Sequence, residues 1–239
     1  MASPGEVPQE IGRAYVVVLT AALQAAMPFR AQFTAYGHPE KLNFGAGSGS
    51  YSFDVRGIYR SELRSRDVYV ECKGRSVGAD LPSQFKDFLS KAYALSTVAE
   101  HSVDRFWFVT NVPFNCTLGN RMSNRLWIVG ALRECFSESR AVLKGLTFDA
   151  NLADSLAKRV MAFILTDAFI RSTGLVYYVE EDENLWSITQ QFYGGYWPEE
   201  LVESYAPYAN RVAEISGIDN PSRLNPGMRL QIPWYGMSW

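Results

Sequence analysis

Hydrophobic and polar positions along this chain change period several times. Ile11, Val18, Leu19, Ala22, Leu23 and Ala26 recur at helical spacing and predict a buried first helix over about 9–28. A Gly/Ser loop follows at 45–50. Alternating apolar and polar residues then predict strands over about 51–60 and 67–75. Phe85, Phe88, Leu89, Ala92, Leu95 and Ala99 line one face of a helix over about 82–100, and Phe106–Val109 reads as a strand buried on both faces. Helices near 121–136 and 150–171 complete the order α-β-β-α-β-α-α, an α/β domain with a mixed sheet flanked by helices.

Beyond Ser172-Thr173-Gly174 a second pattern begins. Leu175–Val179 predicts a strand and Glu183–Ile188 opens a helix that Gly194-Gly195 stops. A second helix starts at Trp197, and Arg229–Pro233 is a closing strand. Two domains are expected, 1–173 and 174–239, the second a small β-α-α-β unit.

Composition changes this picture in one respect. The 239 residues carry 23 Lys/Arg and 25 Asp/Glu, a net charge of −2 that argues against a uniformly basic nucleic-acid coat. The sum hides an asymmetry. Before residue 174 there are 20 Lys/Arg and 16 Asp/Glu, and after it 3 and 9. The two domains should meet different partners. Three cysteines and two histidines show no metal or redox spacing, which fits a reducing interior. The apolar run Ala14–Met27 is shorter than the roughly 20 residues a bilayer requires. Glu6 and Glu10 ahead of it are wrong for a signal peptide. A cytoplasmic protein with no membrane partner is expected.

The most informative segment is Asp67–Arg75. On a strand, Tyr69, Glu71, Lys73 and Arg75 share one face, and Val68, Val70 and Cys72 the other. On the preceding strand, Asp54 and Arg56 oppose the apolar set Tyr51, Phe53 and Val55. If the two strands pair, Asp54, Glu71 and Lys73 converge. Two carboxylates can hold a hard cation, which activates water and stabilises phosphoryl charge, and a lysine can position that water. Arg56, Arg60, Arg64, Arg66 and Arg75 lie on or between these strands, with Lys86 and Lys91 on the next helix and Arg121 and Arg125 beyond a polar loop. They are candidate contacts to phosphates. No base-reading module is present. His101 ends a helix, where the dipole favours it.

Asp54 followed by Glu71-Cys72-Lys73 on consecutive strands, then a helix and an apolar strand, resembles the PD-(D/E)xK, or restriction-endonuclease-like, nuclease superfamily over about residues 9–115. Phe53 stands where the motif name has proline. The resemblance implies an α-β-β-β-α-β core, Asp54 and Glu71 as ligands of Mg²⁺ or Mn²⁺, and Lys73 as catalytic lysine. Some members add an acid on the first helix and a glutamine after the lysine strand, for which Glu10 and Gln84 are the candidates. Members often act as dimers, so a homodimer is a further expectation.

The second domain resembles a LysM domain. Tyr177-Tyr178-Val179, Leu185-Trp186-Ser187-Ile188 and Asn225–Pro233 match its first strand, helix start and closing Pro-Gly-x-x-Leu-x-Ile-Pro signature. That family binds N-acetylglucosamine polymers through the loops between strand and helix. Here the loop is acidic: Asp182-Glu183-Asn184 replaces the usual Gly-Asp-Thr. A protein partner is the alternative to a glycan. The expected function is a metal-dependent nuclease acting on DNA in bacterial or phage genome defence. The alternative is a non-enzymatic assembly or wall-binding protein on an inactive nuclease-like scaffold.

Overall fold

The computed structural model describes residues 6–46, 49–60, 64–74, 80–98, 103–111, 121–193, 205–222 and 224–233. Among them the chain divides into two compact units: Pro28–Ile164, and Met1–Met27 with Leu165–Trp239. No helix of the described residues is long and apolar enough to cross a membrane.

The larger unit is α/β. Its strands are β1 (Phe29–Thr34), β2 (Asn43–Ala46), β3 (Gly49–Ser52), β4 (Val55–Arg60), β5 (Ser65–Lys73), β6 (Arg105–Thr110) and β7 (Val160–Ile164), and its helices α2 (Leu81–Thr97), α3 (Arg125–Ser137) and α4 (Ala150–Ala157). A mixed five-stranded sheet has the order β1-β4-β5-β6-β7. The first three strands are antiparallel, and β5, β6 and β7 run parallel. Gly57 of β4 sits where a Cβ would lie 2.4 Å from the Arg30 carbonyl oxygen, so β1 can approach only a glycine there.

The helix α2 starts where Asp80 caps it, its carboxylate accepting from the Ser83 N–H, with Pro82 in the first turn. Its apolar stripe packs with Phe53 between β3 and β4, with Tyr69, Phe106 and Phe108 of the sheet, and with α3 and α4. On the opposite sheet face, Trp107 meets the rings of Phe29, Tyr59 and Phe163. The parallel strand β6 is therefore buried on both faces, as its uninterrupted apolar run predicts.

The smaller unit contains α1 (Glu6–Ala26), α5 (Asp167–Thr173), β8 (Leu175–Tyr178), α6 (Leu185–Tyr193), α7 (Tyr205–Ser216) and β9 (Arg229–Ile232). The helix α1 packs on β8, α5 and α6, and Gln24 Nε2 donates to the Val176 carbonyl at 2.9 Å. β8 and β9 pair antiparallel, Leu175 opposite Ile232. Gly174 ends α5 at φ 69°, and a Cβ there would meet Gln231 Nε2 at 2.7 Å.

Three expectations change. The helix predicted over 150–171 is broken: Val160–Ile164 leaves it to pair with β6, because the aromatic and β-branched residues gain a sheet neighbour that helical propensity cannot match. The strand predicted over 51–60 is two strands, and β3 closes a hairpin with β2 across the Gly/Ser segment. The division at residue 173 is not the one observed, since the N-terminal helix belongs with the C-terminal unit.

Candidate active site

Asp54 lies in the bend between β3 and β4. Its N–H donates to the Val70 carbonyl at 3.1 Å and its carbonyl accepts from Ala35 at 2.9 Å, so both flanking strands hold its backbone. Val55 pairs with Val70 across β4 and β5, and one further step of that register sets Asp54 opposite Glu71. Asp54 Oδ2 accepts from the Cys72 N–H at 2.7 Å. On β5, Glu71 and Lys73 share the face that α2 covers, and Glu71 is only 3% exposed.

This buried glutamate is held from two sides. Lys73 Nζ lies 2.7 Å from Oε1, and Lys91 Nζ of α2 lies 2.5 Å from Oε2. Lys91 also donates to the Ser52 carbonyl at 2.9 Å and sits 5.3 Å from the centre of the Phe53 ring. Its side chain is 17% exposed against 32% for Lys73.

The electrostatics differ sharply between the two acids. Burial raises the Asp54 carboxyl, and the Glu71 charge raises it further, to about 6 against the pull of Lys73, Lys91 and the Cys72 N–H. Burial works on Glu71 in the same sense, but Lys91 and Lys73 outweigh it and hold that carboxyl below its usual range. Burial disfavours the charge on Lys73, yet Glu71 and Asp54 prevail and keep the ammonium protonated well above its ordinary range.

Gln84 lies seven residues before Lys91, on the same face of α2 and about 10 Å along its axis. In a crossover between parallel strands that end of the helix lies toward the carboxyl end of β5, where ligands of open α/β sheets bind. Gln84 Oε1 is buried with no hydrogen-bond partner.

The other predicted contacts divide. Arg56 is committed to Asp67, with Nη2 at 2.7 Å and the guanidinium over the Tyr69 ring. Lys86 lies between Glu134 and Glu138 at 3.0 and 2.8 Å, and Arg125 pairs with Asp154. Asn124, beside Arg125, caps α3 by accepting from the Trp127 N–H. Arg60 and Arg121 are exposed. Arg75, His101 and the side chain of Glu10 lie outside the described residues. Lys91 is the site residue that the strand motif misses. The signal for it was the apolar stripe of α2, which this lysine interrupts between Phe88 and Leu95.

In the smaller unit, Glu183 turns inward. Oε1 accepts from the Tyr177 hydroxyl and Oε2 from the Glu180 N–H, each at 2.7 Å. Burial and then the Glu183 charge push the Tyr177 hydroxyl far above its usual range. Asn184 caps α6, its Oδ1 accepting from the Ser187 N–H at 2.9 Å while Ser187 Oγ accepts from the Asn184 N–H at 3.2 Å. Asp182 is exposed, at φ 63°.

No family model and no curated protein matches the chain. Among solved structures, similarity is found to the Acinetobacter baumannii Cap4 SAVED/CARF-domain containing receptor with the cyclic trinucleotide 2'3'3'-cAAA, at 14% identity and TM-score 0.34, covering 84% of this chain and 39% of that one. The Moraxella osloensis Cap4 receptor gives 13% identity and TM-score 0.34, covering 84% of this chain and 43% of that one. The chain thus spans less than half the length of either receptor.

Among the described residues no group of three or more His, Cys, Asp or Glu could hold a metal ion. Asp54 and Glu71 nevertheless form an oxygen-only pair whose mutual repulsion a cation would relieve. That donor chemistry fits a hard divalent ion, which retains water ligands and needs only one or two carboxylates.

Proposed function

We propose that the chain is a metal-dependent nuclease that hydrolyses phosphodiester bonds, with DNA as the expected substrate and bacterial or phage genome defence as the expected setting. The observation that carries this reading is the Asp54–Glu71 pair, Asp54 in the bend before β4 and Glu71 buried on β5, with Lys73 on the same sheet face as Glu71. The strand–strand–helix–strand order of β4, β5, α2 and β6 supports the likeness to the restriction-endonuclease-like fold. The strand–helix–helix–strand order of β8, α6, α7 and β9 supports a LysM-like module for a protein partner or glycan.

Asp54 and Glu71 would hold Mg²⁺ or Mn²⁺. When bound, that ion lowers the pKa of its water and offsets charge on a phosphoryl oxygen. Asp54 is oriented for this by the Cys72 N–H. Lys73 stays charged and can donate to a phosphate oxygen or orient the attacking water. Water oxygen bonds to phosphorus and gives up a proton, the ester P–O bond breaks, and the departing oxygen takes up a proton. Gln84 offers a free acceptor for water or ligand, and Arg60 and Arg121 offer exposed charge to flanking phosphates.

The test is cleavage of duplex and single-stranded DNA and RNA across divalent metals. Cleavage by the purified chain, lost in Asp54→Ala and Lys73→Ala, is expected; undiminished cleavage by Asp54→Ala would remove the assignment. A second reading, a non-enzymatic scaffold, is favoured by one observation: both Glu71 oxygens already carry ammonium partners. DNA or glycan binding with no cleavage under any divalent metal would support it.

A further inference from the structure

Glu71 is paired twice, and the two partners are not equivalent. Lys91 is anchored by the Ser52 carbonyl and the Phe53 ring as well as by Glu71, so three groups, from the end of β3 and from β5, converge on one ammonium. Lys73 is the more exposed lysine, and its polar contact to Glu71 is through Oε1 alone. A buried carboxylate that loses its only counter-ion is left as an uncompensated charge, which is strongly destabilising. With two ammoniums present, one can leave while the other continues to neutralise the acid.

We propose that Lys91 is a positioning residue that holds Glu71 paired and in place from the α2 side, so that Lys73 is free to exchange from Glu71 to a substrate phosphate. This deepens the metallonuclease reading and rests on it for the identity of the phosphate. No bond is made or broken in the exchange: an ammonium hydrogen bond passes from a carboxylate oxygen to a phosphate oxygen. Lys91 acts through Lys73 and does not touch substrate.

The test is a double-mutant cycle on binding. Affinity of a short DNA duplex is measured by fluorescence anisotropy in Ca²⁺, under conditions where no product forms, for wild type, Lys73→Met, Lys91→Met and the double variant. Each single change should weaken binding about tenfold, the size of one lost charge-assisted phosphate contact. The double variant should be no weaker than Lys73→Met alone, because without Lys73 there is nothing left for Lys91 to release. Lys91→Gln keeps a hydrogen-bond donor without the charge, guards against misfolding, and should behave as Lys91→Met. Multiplying losses would mean that Lys91 contacts the duplex itself, and unchanged affinity in folded Lys91→Met and Lys91→Gln would mean that Lys73 leaves unaided; either result overturns the proposal. Failure of wild type to cleave in Mg²⁺ or Mn²⁺ would instead overturn the nuclease reading, and the cycle would still report on the exchange.

Discussion

The acid–lysine cluster of the larger unit, drawn from the bend before β4, from β5 and from α2, and the acidic turn between β8 and α6 of the smaller one both concentrate charge, and they resolve in opposite ways. In the turn, Glu183 spends both oxygens on Tyr177 and Glu180, and Asn184 closes its own helix cap. What remains is a self-satisfied loop with Asp182 exposed. In the cluster, two acids face each other across paired strands, one with its carboxyl raised to about 6 and the other held low by two lysines. Buried charge that is paired but still electrostatically strained is what a ligand can act on. Charge already consumed by local hydrogen bonds holds a loop in shape.

The largest effect that would sharpen this contrast is catalytic. Asp54→Ala should reduce metal-dependent cleavage about 100-fold or more, while circular dichroism stays unchanged. Glu183→Ala should leave the cleavage rate as it is. Next comes stability. Glu71→Ala strands two ammoniums around a buried void and should cost about 3 kcal/mol in urea unfolding; a loss below about 1 kcal/mol would show that the lysines find other partners at no cost.

The third effect is a pH dependence in metal-free buffer. Asp54 has a folded pKa of about 6 against an ordinary 3.8, so between those values the folded chain holds a proton that the unfolded chain has released. The stability it contributes is complete below about pH 4 and is lost as pH rises through 6. Glu71 runs the other way, its contribution present above its ordinary pKa and lost as pH falls below it. Asp54→Asn should therefore match wild type near pH 4 and exceed it by on the order of 2 kcal/mol above pH 7. Equal stability at both ends, followed by chemical unfolding, would show that Asp54 is not strained.

Smaller still, Glu183→Ala should cost about 1 kcal/mol by stranding the Tyr177 hydroxyl and the Glu180 N–H, seen as a lowered Tm. The smallest effect is expected at Lys86, a predicted phosphate contact that Glu134 and Glu138 already neutralise. Lys86→Ala should change stability by no more than about 0.5 kcal/mol and leave duplex affinity untouched, whereas Arg121→Ala should lower the salt dependence of binding.

Charge separation follows the same division. Residues 28–164, the span of the larger unit, contain 18 Lys/Arg and 13 Asp/Glu, and the remainder 5 and 12. The cut at residue 173 understates the asymmetry because Glu6, Glu10 and Asp167 fall on the wrong side of it.

Local alternation and helical spacing determined a great deal by themselves. They put Glu71 and Lys73 on one face of β5, set the apolar stripe of α2, and marked Phe106–Val109 as buried on both sides. Each depends only on periods of 2 and 3.6 and on apolar burial. Pairing across distance belonged to the tertiary structure. Val160–Ile164 became a strand because β6 offered an edge, and α1 joined the C-terminal unit because β8 and α6 needed cover. Arg56, Lys86 and Arg125 were taken by acids 11 to 52 residues away. Lys91 reached Glu71 only because the crossover laid α2 over β5. Sequence period can say which face a side chain is on; whether its charge meets water, a counter-ion or a ligand is decided by what the fold packs against that face.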